Sequence, residues 1–129
     1  MIKREAKFGT LFSHWLRANR KRISSTAFEY KQTTTNSLAF SAVKEHQIDA
    51  LLACKSDEGF YFKIPDTSFC LLPFDAFFLR NAYAYVIIKY PKAFYVIDVD
   101  DFVAEDKNSK RRSLTSERAE EIAVFSVLI

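Results

Sequence analysis

Apolar residues near the start of the chain recur at helical spacing: Ala6, Phe8, Leu11, Phe12, Trp15 and Leu16 fall close to i, i+3, i+4. That period gathers them on one stripe and predicts a helix over residues 3–19 with a core-facing side. The period then changes to two. In Ala27-Phe28-Glu29-Tyr30-Lys31-Gln32-Thr33 a strand turns Phe28 and Tyr30 to one face, and Glu29 and Lys31 to the other. Residues 33–37 are polar and read as a loop. A second stripe of Val43, Ile48, Leu51 and Leu52 predicts a helix over 41–55, with Ser41 as N-cap and Glu45 in an early turn. Strands follow at 60–64, 69–72, 74–79, 83–90 and 94–99, broken by Pro65-Asp66, Pro73, Arg80-Asn81 and Pro91-Lys92. The charged stretch 105–113 reads as a loop, and Thr115 as the cap of a short helix with Glu117 in its first turn. The apolar end, 124–129, must be covered, as a closing strand or at an oligomer interface. The order of elements is α+β, a mixed β-sheet flanked by helices, and 129 residues suit a single domain over 1–129.

Composition narrows this little. Two glycines and three prolines leave no room for long flexible linkers. No apolar run approaches the ~18 residues that span a bilayer. The basic N-terminus continues into a mixed segment, not an apolar one, so no secretory signal is expected and the protein is placed in the cytoplasm. Cys54 and Cys70 lack CxxC spacing and read as buried thiols, and two histidines beside them argue against a zinc site. His14 reads as an ordinary polar-face residue. Most of the aromatic residues at 60–62 and 74–95 are accounted for as core.

Charge changes the picture more. Residues 1–22 carry a net +6, including Arg17, Arg20, Lys21 and Arg22, against −3 over the remainder. A basic end on a mildly acidic body suits an anionic partner such as nucleic acid. Thr33, Thr34 and Thr35 would offer hydroxyls to a phosphate backbone. Glu29 and Lys31, sharing a strand face, add candidate chemistry. A carboxylate supplies the hard oxygen a divalent cation prefers, and a neighbouring ammonium positions water or balances phosphate charge. The plain alternative is an exposed ion pair on a solvated face.

The run Ala27–Thr33, a Thr/Ser/Asn-rich loop, Leu38-Ala39-Phe40, then His46-Gln47-Ile48 and the strand Gly-Phe-Tyr-Phe-Lys-Ile resembles the PD-(D/E)xK nucleases, and among them the recombination protein U family of Holliday-junction resolvases. The likeness covers about residues 25–65 and fades after 66. It implies a restriction-endonuclease-like fold and a metal-dependent DNA endonuclease that cuts four-way junctions with Mg²⁺ or Mn²⁺ as a homodimer. By resemblance, Glu29 is the metal-binding acid, Lys31 the motif lysine, and Gln47 the residue that faces the site from the following helix. Glu5 resembles the acid on the family's first helix. One departure stands out: the family carries an aspartate on a strand before Glu-x-Lys, and residues 17–28 hold no acid. Asp75 is the favoured substitute and Asp66 the second. Two other readings stay open: a non-catalytic nucleic-acid-binding or protein-interaction domain of the same fold, and a small partner-binding protein.

Overall fold

Two strands rich in branched and aromatic residues form the middle of the molecule. In the computed structural model, which describes residues 3–19, 25–66 and 71–129 with side chains from Lys7 onward in the first segment, these are β5 (Tyr83–Tyr90) and β6 (Ala93–Asp98). Val86, Ile87, Ile88, Val96 and Ile97 are wholly buried, so both faces of this hairpin are covered. Pro91-Lys92 makes its turn, pairing Tyr90 with Ala93. β1 (Thr26–Gln32) lies parallel to β5, and β8 (Phe125–Leu128) lies antiparallel to β6, giving a mixed sheet in the order β1-β5-β6-β8.

Helices cover both faces. α1 (Lys3–Ala18) lays Phe8, Phe12, Trp15 and Leu16 on Tyr85, Ile87, Phe94 and Val96. The opposite face packs under α2 (Glu45–Lys55), α3 (Val99–Asn108) and α4 (Ser116–Ile122), with Leu51, Phe102 and Ala119 in the shared core. The protein is therefore one small α+β domain with a mixed sheet between helices. No helix among the described residues is long and apolar enough to cross a membrane.

Several expectations need correction. The first residues of the segment expected to be a loop, 105–108, instead complete α3 (Val99–Asn108): Asp98 caps this helix by accepting from Asp100 N at 2.9 Å, and Val99 and Phe102 are buried. Val99, Phe102 and Val103 keep helical spacing, while Glu105 to Asn108 form the solvated last turns. α2 starts at Glu45, four residues later than Ser41, which sits in a 3₁₀ turn at Phe40–Ala42. Among residues 71–79, only β4 (Ala76–Leu79) is strand, paired with β3 (Phe60–Lys63) as a separate hairpin. That hairpin exposes Tyr61, Phe62 and Phe78, so these aromatics are not core. β8 does close the sheet, with Phe125 and Val127 against the α1 side, but Val124, Leu128 and Ile129 stay exposed. Cys54 is buried, and burial pushes its thiol up. Cys70 lies outside the described residues.

A third small sheet was not expected. β2 (Ser37–Ala39) pairs antiparallel with β7 (Ser113–Thr115), turning Leu38 and Leu114 inward. The buried Tyr90 hydroxyl donates to the Leu114 carbonyl at 2.8 Å and ties this ribbon to β5.

Buried groups on the sheet and α2 make stability sensitive to alkali, Tyr85, Tyr90 and Lys55 among them. Burial, with the charge of Asp98 adding to it, pushes the Tyr85 hydroxyl up to about 12. Burial pushes the Tyr90 hydroxyl up further. For Lys55, burial disfavours the charge, but its bonds to Asp100 and Asp98 outweigh this and raise the pKa. A folded pKa above the unfolded value gives stability that is complete below the unfolded pKa and is lost as pH rises through the folded one. Urea midpoints should thus fall between pH 10.0 and about 12, and Tyr90→Phe should make that fall shallower.

Candidate functional site

Alternation along β1 sends Ala27, Glu29 and Lys31 to the α2 face and Phe28 and Tyr30 to the α1 face, where Phe12 meets the Phe28 ring edge-on at 5.7 Å. Glu29 and Lys31 therefore share a face, as their spacing predicts.

The start of α2 brings in the third member. Lys44 is the N-cap residue, and a lysine side chain cannot accept from the free N–H groups of the first turn. Gln47 supplies the return half of a capping box instead: its Oε1 accepts from Lys44 N at 2.9 Å. The other end of the same amide, Nε2, donates to Glu29 Oε1 at 3.1 Å. Lys31 Nζ lies 3.4 Å from that same oxygen. One hydrogen-bond donor and one ammonium, from two elements, thus converge on one carboxylate oxygen. Glu29 Oε2 meets no donor among the described residues. Both side chains stay open to solvent, Glu29 at 29% and Lys31 at 23%.

This carboxylate stands at the wall of a cleft of about 800 Å³ between β1, α2 and the β3–β4 hairpin. The hairpin is held over α2 by backbone: Asn81 N donates to Ser56 O and Ala82 N to Cys54 O. Asn81 takes a left-handed φ of 52° at this corner. Gly59 is required here too, because a Cβ would fall 2.7 Å from Leu79 O at a φ of +85°. Phe60, Phe62, Phe77 and Leu79 form the apolar wall opposite Glu29 and Gln47.

The remaining predicted residues are spread more widely. Asp75 is exposed at the open end of the hairpin, where its carbonyl accepts from Ile64 N at 2.8 Å. Neither it nor Asp66 lines the cleft. The carboxylate that does is Asp49, on α2 two residues beyond Gln47, which sequence reasoning passed over; His46 lines the cleft as well. The Glu5 side chain and Arg20, Lys21 and Arg22 lie outside the described residues. The start of α1, however, is placed: Phe8 stacks on Phe94 at 4.4 Å, Phe94 pairs with Lys89, and Lys89 pairs with Gln32. The first turn of α1, which carries Glu5, thus lies towards the Lys31 end of β1. Arg17, exposed in the last turn, lies at the other end. Arg17 and the 33–35 loop are separated by the length of the strand, about 20 Å.

Within that loop the hydroxyls are committed. Thr33 Oγ1 and Thr35 Oγ1 both donate to Ser37 O, at 3.0 and 2.9 Å, and accept from the backbone N–H groups of Thr35 and Ser37. Thr33 and Thr35 shape the loop, and Thr34 is left exposed at its tip.

For a divalent cation the donor set is lean. Among the described residues no three His, Cys, Asp or Glu side chains come together as a metal cluster. The Gln47 carbonyl is occupied by Lys44 N, so Gln47 orients Glu29 and does not offer a ligand. The unpaired Oε2 of Glu29 does. Magnesium is commonly held by one or two carboxylates together with substrate phosphates and water, and Glu29 fits that kind of open site.

No protein-family model matches the chain, and no curated protein is similar to it at a significant level.

Proposed function

We infer that the chain is a PD-(D/E)xK-type nuclease domain of restriction-endonuclease-like fold, a metal-dependent endonuclease acting on branched DNA, with a four-way junction as the substrate. The observation that carries this is the convergence of Lys31 and Gln47 on one oxygen of Glu29, which leaves the second oxygen open. The motif predicts a carboxylate and a lysine on one strand face and an amide presented by the following helix, and all three meet here. Bound Mg²⁺ or Mn²⁺ would polarise the scissile phosphate and lower the pKa of its water. Glu29 would hold that ion, Gln47 would fix the carboxylate, and Lys31 would balance the charge growing on the phosphate. Asp75 stands outside the cleft, so the second acid is left to be found by substitution, with Glu5, Asp49 and Asp75 as the candidates. Cutting both strands of a two-fold symmetric junction calls for a homodimer. The exposed Val124, Leu128 and Ile129 beside edge strand β8 offer a surface for it.

A second reading rests on the lean donor set: with Glu29 alone, the domain would bind junctions without cutting. Labelled four-way junction and linear duplex, incubated in Mg²⁺ and in Mn²⁺, separate the two. Paired symmetric nicks on the junction support the nuclease, and tight binding without nicks supports the second reading.

Gln47 gives a finer test. Gln47→Ala removes both its bonds and should lower cleavage by about 10–100-fold, the usual effect of losing a group that orients a metal ligand. Gln47→Glu keeps an acceptor for Lys44 N and loses the donor to Glu29. If orientation of Glu29 matters, Gln47→Glu should cut no better than Gln47→Ala while melting closer to the unaltered protein. Equal cleavage by all three proteins would remove Gln47 from the site.

A further inference from the structure

We propose that the β2–β7 ribbon and the loop Ser109–Arg112 beside it form the main phosphate-gripping surface of the protein, a role that extends the nucleic-acid reading above and rests on it. The starting observation is that two stretches of sequence carry cations and no acid, although in the fold Glu45 and Asp106 share a cleft with Lys44 and Lys107, and Glu105, which is paired to Arg118, lines one with Lys110 and Arg111. The chain has 16 acids in 129 residues, yet segments 30–44 and 107–116 contain none. Between them they carry six cations: Lys31, Lys44, Lys107, Lys110, Arg111 and Arg112. The two segments are far apart in sequence and are brought together by the fold. Ser37 pairs with Thr115 and Ala39 with Ser113, while Ser116 N donates to Asn36 O and Phe40 N to Arg112 O.

The chemistry of the joined surface suits a polyanion. Leu38 and Leu114 point inward, so the outward positions of the ribbon are small: Ser37, Ala39, Ser113 and Thr115. A phosphate backbone can approach the main chain closely there. Lys107, Lys110, Arg111 and Arg112 are exposed and make no ion pair among the described residues. The contrast with Lys55 and Arg118 is informative, since those two cations are each held by two carboxylates. Cations left without a partner carboxylate keep their charge for a ligand. The surface is also continuous with the candidate site. Lys31 lies on the strand that leads into the 33–36 loop, and Lys44 N is bonded to the amide that holds Glu29. A duplex arm lying along the ribbon would therefore be fixed next to Glu29, whereas Arg17 stands at the far end of β1.

The test is the salt dependence of binding, with fluorescent four-way junction and duplex titrated in Ca²⁺ at several salt concentrations. Each phosphate contact contributes about 0.9 to the slope of log affinity against log salt on duplex DNA. Replacing Lys110, Arg111 and Arg112 together by Ser should weaken binding at 0.1 M salt by about tenfold or more and flatten the slope by about 2 to 3. The charge-conserving Lys110→Arg, Arg111→Lys, Arg112→Lys protein should keep the slope, and a circular dichroism melt shows whether each variant is folded. A folded Ser variant with unaltered affinity and slope overturns the ribbon and leaves the nuclease reading standing. An unaltered protein that binds neither DNA, whether or not it binds anionic lipid vesicles, overturns both.

Discussion

Glu29→Gln should remove junction cleavage by about 10²–10³-fold, the several kcal/mol of transition-state stabilisation that a metal site supplies, at 1.36 kcal/mol per decade. The substitution is close to isosteric. Its side chain can still accept from Gln47 Nε2, so the strand and the start of α2 keep their contact. What disappears is the charge that faces Lys31 and that would hold a cation. The fold should tolerate this, because a partly exposed ion pair is worth about 0–1 kcal/mol. Lys31→Ala should lower cleavage by a comparable factor of about 10²–10³, as expected for one preorganised donor at a developing charge. The double variant is the sharper measurement. If Glu29 and Lys31 serve one phosphate as a unit, the two losses will not multiply, and the double variant will be little worse than either single one. Multiplied losses would mean separate roles. If cleavage persists in Glu29→Gln, the site is elsewhere, and Asp49 and Asp75 become the carboxylates to test.

Glu29 and Lys31 were legible because a strand has a period of two, and that period alone fixes which side chains share a face. Gln47 was reachable only through resemblance. Nothing in the local pattern says that its amide must bridge a backbone N–H and a carboxylate 18 residues away. What makes it do so is Lys44, a capping position without an acceptor. The sequence reading preferred Ser41, a good capping residue, and the tertiary contact of β2 with β7 outweighs that preference by drawing the chain into a 3₁₀ turn first. The same ribbon was invisible for a physical reason: three-residue strands have too few alternations to show a period. α3 was missed although its signals were present. Asp98 followed by Val99, Phe102 and Val103 is a capped helical stripe, overshadowed by the run of charges after it. The mixed sheet and its central hairpin were legible, since continuous branched and aromatic runs between Asn81 and Asp98 have few other ways to be buried.

Phe94→Ala should destabilise the domain by about 3–5 kcal/mol, the usual loss for deleting a buried aromatic ring. Phe94 is 1% exposed and stacks on Phe8 at 4.4 Å with the ring planes 12° apart, and Tyr30 lies against it at 6.4 Å. A small domain is stable by only about 5–15 kcal/mol in total, so urea unfolding should show a large drop in midpoint. Phe8→Ala should have a smaller global effect with a local consequence. Side-chain packing of Phe8, Phe12, Trp15 and Leu16 docks α1 on the sheet. Phe8 is the anchor nearest the first turn, while Phe12, Trp15 and Leu16 keep the rest of the helix docked. Loosening that turn should leave a folded protein whose early helix exchanges its amide hydrogens faster. A double-variant cycle of Phe8 and Phe94 should give a coupling of about 0.5–1.5 kcal/mol, as for other aromatic pairs. The functional readout then bears on Glu5. If the first turn of α1 supplies an acid to the Glu29 site, a folded Phe8→Ala protein should lose cleavage out of proportion to its stability, and Glu5→Gln should reproduce that loss with no change in melting. Unaltered cleavage in both would confine the role of α1 to covering the sheet.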